Sequence, residues 1–146
     1  MFECLILGDS IAAGLHQHKK ECVAFAKGGI NSWQFNKNYP GEFYSHNVII
    51  SLGSNDHSGV KTLQELEQLR SRVVAKYRVY WILPGGNHPQ SKKDILEVRQ
   101  NVEAVAQKYG DVVVPINHYS QEKIGGVQVT IHPSDRGYKD IATKIK

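Results

Sequence analysis

Short, almost uniformly apolar runs alternate along this chain with longer stretches in which apolar residues recur at three- and four-residue spacing. Phe2–Leu7, Cys22–Ala26, Val48–Leu52, Val79–Leu83 and Val112–Ile116 are the runs, each of strand length. A helix is expected to begin in Ile11–Lys20. Leu63, Leu66, Leu69 and Val73 trace one helical face, and Ile95, Val98, Val102, Val105 and Tyr109 trace another. A last helix should follow Pro133 and carry Tyr138, Ile141 and Ile145. Strands without a polar face are buried on both sides, and strand–helix alternation calls for parallel strands joined by crossover helices. The pattern predicts an α/β protein, a three-layer αβα sandwich, in one domain over residues 1–146. No internal repeat, low-complexity tract or linker interrupts it.

In open parallel sheets, ligands bind beyond the carboxyl ends of the strands. The residues there are Gly8-Asp9-Ser10, Gly28-Gly29-Ile30-Asn31-Ser32, Gly53-Ser54-Asn55-Asp56, Pro84-Gly85-Gly86-Asn87-His88 and Asn117-His118, all but Ile30 small or polar. Asp9-Ser10 alone reads equally as a helix cap or as a nucleophile at the lip of a sheet. A serine nucleophile also needs a base and donors for the developing oxyanion. Gly29 can offer an unobstructed backbone N–H, Asn55 a side-chain amide, and His132, just before the last helix, an imidazole.

Taken together and in this order, Gly8-Asp9-Ser10, the glycine of the second loop, Gly53-Ser54-Asn55-Asp56 and Ile131-His132-Pro133 resemble the four blocks of the SGNH hydrolases, also called GDSL esterases and lipases. The resemblance spans Leu5 to about Ile141. It implies a flavodoxin-like five-stranded parallel sheet in the order 2-1-3-4-5 and a cofactor-free ester hydrolase. Ser10 would be nucleophile and first oxyanion donor, Gly29 and Asn55 the other donors, and His132 the general base. Placing Gly29 rather than Gly28 in this role rests on aligning Gly29-Ile30-Asn31-Ser32 with the second block.

One position departs from that pattern. The family usually carries Asp three residues before its histidine, and here Val129 stands there. A Ser10–His132 dyad is therefore expected, with the carbonyl of Val129 or a neighbour accepting from Nδ1. The rival reading is a binding module for an acetylated or carboxylated ligand that no longer turns it over. Asp9 and Asp56 read as supports that satisfy loop N–H groups beneath the site, and Asp56 could also touch His132.

Trp33 and Phe35 could wall the acyl or leaving group, or pack beneath the second helix. His88 and His118 could line the substrate rim, or be ordinary loop residues. His57, His88, His118 and His132 share one sheet edge, but their spacings match no compact ligand motif, so no metal is expected. His16 and His18 read as solvated surface and Trp81 as core.

Composition narrows the setting. Net charge is +4, from 18 Lys and Arg against 14 Asp and Glu, with the charges scattered. No basic tract interleaved with aromatics suggests a nucleic-acid partner. No apolar run approaches the roughly 18 residues of a membrane span. MFECLILGDS lacks the basic n-region of a signal peptide, so a cytoplasmic location is expected, with export by another route or release by lysis as the alternatives. Cys4 and Cys22 are expected to be buried free thiols. A chain of 146 residues leaves short connecting loops and an open site. That suits a small or glycan ester with a short acyl group, such as acetate. The sequence does not specify the oligomeric state.

Overall fold

The computed structural model describes residues 1–85 and 93–145. Its centre is a five-stranded sheet of β1 (Phe2–Gly8), β2 (Val23–Ala26), β3 (Phe43–Ser51), β4 (Val73–Leu83) and β5 (Val112–Pro115). The order is β2-β1-β3-β4-β5 and every pairing is parallel. The helices are α1 (Ser10–His16), α2 (Ser32–Asn38), α3 (Thr62–Ser71), α4 (Ile95–Tyr109) and α5 (Asp135–Lys144).

Alternate strand residues feed two separate cores. Leu5, Leu7, Ile50 and Trp81 pack with Phe35, Leu66, Leu69, Val102 and Val105, from α2, α3 and α4. Ile6, Ile49 and Ile82 face the other way, against Ile11, Leu15 and Ile141 of α1 and α5. This is the expected three-layer sandwich. β3 and β4 begin earlier than their apolar runs, at Phe43 and Val73. Their first halves carry exposed residues such as Tyr44, Val74 and Tyr77, so hydrophobicity marks only the buried part of each ladder. α1 stops at His16, short of Lys20.

Two features depart from the sequence reading. Gln121–Ile124 (β6) and Val127–Pro133 (β7) form an antiparallel hairpin, a second two-stranded sheet. Gly125 and Gly126, at φ 60° and 80°, make its turn. Positive φ at both central residues is the two-residue hairpin geometry that glycine adopts freely. His132 therefore sits on a strand and not in a loop. Cys4 and Cys22, expected as free thiols, form a disulfide with Cα atoms 4.7 Å apart. The register explains it: Leu5 pairs with Val23, so the two preceding residues meet across neighbouring strands. No helix among the described residues is long and apolar enough to cross a membrane.

Candidate active site

Ser10 opens α1 directly beyond β1, where the chain is held from both sides. The Asp9 N–H donates to the Ser51 carbonyl and the Lys27 N–H to the Gly8 carbonyl, each at 3.0 Å. Gly8 has φ 146°, and a Cβ there would lie 1.9 Å from the Ser51 carbonyl oxygen. Only glycine fits so close a backbone approach. Asp9 is fully buried as the N-cap of α1, its Oδ1 accepting from the Ile11 N–H and the Ser51 hydroxyl, both at 3.0 Å. Its Oδ2 has no hydrogen-bond partner among the described residues. Burial raises the Asp9 pKa to about 6, against the lowering effect of its hydrogen bonds and of His132.

Ser10 Oγ lies 2.8 Å from His132 Nε2. On the other side of the ring, His132 Nδ1 lies 3.0 Å from Glu122 Oε1. An ionised carboxylate only accepts hydrogen bonds, so it selects the tautomer with hydrogen on Nδ1. Nε2 is then free to accept from the serine hydroxyl. The group beside Nδ1 is therefore a carboxylate, and not the carbonyl of Val129 or a neighbour that was expected there. Glu122 is ten residues from His132 in sequence, but β6 and β7 pair side by side. The register shifts between Gln121 and Lys123, and such irregularities re-aim a side chain. Asp56, the other carboxylate weighed as a partner of His132, spends its oxygens elsewhere.

The second and third loops converge on the same place. A Cβ built on Gly28 would lie 3.8 Å from Ser10 Cβ, and the Gly29 N–H belongs to the peptide that Gly28 begins. Asn55 Nδ2 donates to the Ile30 carbonyl at 3.1 Å. One amide hydrogen is fixed in this way and the other is left for a second acceptor. Asp56 is buried and accepts from the Ser32 N–H at 2.9 Å, the Ser32 hydroxyl at 2.6 Å and the Thr62 hydroxyl at 2.7 Å.

The remaining candidates divide. Phe35 is fully buried core, whereas Trp33 is 49% exposed, with Lys37 Nζ 5.0 Å from its ring centroid. His88 lies outside the described residues, and His118 is exposed on a 3-10 turn. His16 bonds the Cys22 carbonyl and His18 bonds Asp135; neither is simply solvated. Among the described residues, no three His, Cys, Asp or Glu side chains gather as metal ligands. Sequence reasoning missed Glu122, and also Tyr138. The Tyr138 ring packs where a Cβ on Gly14 would go. Burial, with the charges of Asp9 and Glu122, pushes its phenol well above the usual range.

Solved structures similar over nearly the whole chain are GDSL-type lipolytic proteins and esterases. A member of the lipolytic G-D-S-L family from Veillonella parvula is 18% identical, with a TM-score of 0.66, covering 99% of this chain and 96% of that one. An acetyl xylan esterase is 15% identical, with a TM-score of 0.63, covering 97% of each chain. A carbohydrate acetylesterase from Sinorhizobium meliloti is 14% identical, with a TM-score of 0.60, again covering 97% of each. No family model and no curated protein matches the sequence. At these identities the likeness establishes the fold, which is the SGNH-type α/β fold that the four sequence blocks suggested.

Proposed function

We propose that this chain is a serine ester hydrolase in which Ser10, His132 and Glu122 act as a triad. The observation that carries the reading is the continuous line from Ser10 Oγ through the imidazole to the Glu122 carboxylate, at 2.8 and 3.0 Å. Ser10 Oγ attacks the ester carbonyl carbon as its proton passes to His132 Nε2. The negative charge that develops on the carbonyl oxygen is received by the N–H groups of Ser10 and Gly29 and by the Asn55 amide. Glu122 holds the ring in the required tautomer and stabilises the imidazolium. As the C–O bond breaks, His132 returns the proton to the departing alcohol. Water, deprotonated by the same nitrogen, then attacks the acyl-enzyme, releasing the acid and restoring Ser10.

The acyl group we favour is short, acetate on a carbohydrate in particular. An acetyl xylan esterase and a carbohydrate acetylesterase share the fold over 97% of this chain, and the connecting loops are short. Glu122 against His132 Nδ1 favours this reading over the binding-module alternative, whose motive was the lack of a carboxylate at position 129. A fluorophosphonate probe and a series of p-nitrophenyl esters from C2 to C12 test the reading. We expect stoichiometric labelling, absent in Ser10→Ala, and the highest kcat/KM at C2. A wild-type protein that neither labels nor turns over any ester would refute it.

A further inference from the structure

β2 and β3 flank β1 on opposite sides and do not pair with each other. No backbone ladder therefore joins the loop holding Gly29 to the loop holding Asn55, and side chains make the connection. The Asn55 amide reaches the Ile30 carbonyl, and Asp56 takes both the N–H and the hydroxyl of Ser32. Behind Asp56 the chain of contacts continues. Thr62, 1% exposed at the start of α3, donates its only hydroxyl hydrogen to Asp56 Oδ2 at 2.7 Å. Its oxygen must then be the acceptor for Lys93 Nζ, 3.0 Å away. The same ammonium donates to the Val60 carbonyl at 2.8 Å and lies 3.9 Å from Glu97 Oε1. The Lys93 side chain is 11% exposed and precedes α4, on the connection that follows β4.

We infer that Lys93 and Thr62 are positioning residues for the reaction proposed above. Through Asp56 they hold the Gly29 N–H and the Asn55 amide where the oxyanion forms. The inference rests on the serine-hydrolase reading. A buried carboxylate needs both hydrogen bonds and a counter-charge, and Lys93 supplies the charge at one hydroxyl's remove. Without it, Thr62 can turn away, Asp56 loses a donor, and the first turn of α2 is free to shift. A small displacement of preorganised donors is felt in the transition state more than in substrate binding.

The test uses Thr62→Val, Lys93→Met and Thr62→Ser, with kcat expressed per active site by fluorophosphonate titration. In Thr62→Val and Lys93→Met, kcat for p-nitrophenyl acetate should fall roughly 10- to 100-fold. KM should stay within about twofold of wild type, and Thr62→Ser should recover most of the loss. Asn36→Ala cuts a separate α2–α3 contact, to Glu65, and should lower the unfolding midpoint while kcat per site holds. An unchanged kcat in Thr62→Val and Lys93→Met, or a rise in KM alone, would overturn the inference. Should Lys93→Met fold poorly, Lys93→Gln replaces it. The ¹⁵N signals of the Gly29 amide and the Asn55 side-chain amide give a readout that needs no turnover. They should move in Thr62→Val and return in Thr62→Ser. Wild-type protein inert to probe and ester would sink the hydrolase reading, while these signals would still decide whether Lys93 fixes the two loops.

Discussion

The proposed nucleophile and the proposed base stand on very different ground. Ser10 follows the central β1, whose Leu5, Ile6 and Leu7 are wholly buried between two cores. His132 stands on a two-stranded hairpin outside that sheet, with side-chain exposures of 33% for His132 and 37% for Glu122. A hairpin of this size is marginal on its own. A few contacts at its base hold it: the Ser134 N–H on the Ser120 carbonyl at 2.9 Å, the two serine hydroxyls at 2.7 Å, and Gly137 pressed on the Ser120 carbonyl oxygen. A line of polar side chains such as Ser10–His132–Glu122 can thus join one part fixed by bulk burial to another fixed by local polar contacts. The two parts should respond to mutation in opposite ways.

His132→Ala should give the largest effect, lowering kcat/KM on the order of 10⁴-fold or more. Its unfolding midpoint should move by no more than about 2 °C, since a partly exposed side chain is lost. Ester kinetics and a thermal melt on one sample decide it, and a collapse of the fold would erase the contrast between the two parts. Glu122→Gln should cost roughly 10²- to 10³-fold in kcat, less than a fully buried acid, because water reaches the pair. Wild-type kcat in that variant would mean the imidazole needs no carboxylate.

On the sheet side the signs reverse. Cys22→Ala, which opens the loop between residues separated by 18 positions, should lower stability in urea by about 3 kcal/mol. Its kcat at 25 °C should hold, since no reacting atom moves. The smallest effect concerns Asp9. Its carboxyl binds a proton at about 6 in the folded chain, against 3.8 as the ordinary value. Between those pH values the folded state holds a proton that the unfolded state has released. Asp9 therefore favours folding in acid, and its contribution is lost as pH rises from about 4 to 6, by at most about 3 kcal/mol. The difference in unfolding free energy between wild type and Asp9→Asn should slope across that window and flatten above it. A flat difference throughout would show the Asp9 carboxyl binding its proton alike in the folded and unfolded chain.

The sheet was legible because its strands are buried on both faces and read as unbroken apolar runs, as in Val48–Leu52 and Val79–Leu83. The strand-end residues followed from topology, and Ser10 and His132 do meet. The hairpin was not legible in the same way. Gln121-Glu122-Lys123-Ile124 has no apolar face to announce a strand, since its partner is one strand and not a core. The usable signal was Gly125-Gly126 with the β-branched run beyond it. Glu122 is not legible because the family pattern places its carboxylate by distance along the chain, whereas pairing of β6 with β7 sets the distance in space. The disulfide escaped likewise: separation along the chain says nothing until the register of β1 on β2 puts Cys4 beside Cys22.

Gly8 offers no proton, charge or donor to the proposed reaction. Yet its neighbour Ser51 leaves room for hydrogen only, so the first residue of Gly8-Asp9-Ser10 is the one that drift cannot exchange. Ser10 is half-buried at the surface and could be lost with the architecture intact. Among descendants of this chain that abandon catalysis, the serine should disappear first and the glycine last. A surviving Gly-Asp pair would then record the lineage of the scaffold rather than the persistence of its chemistry.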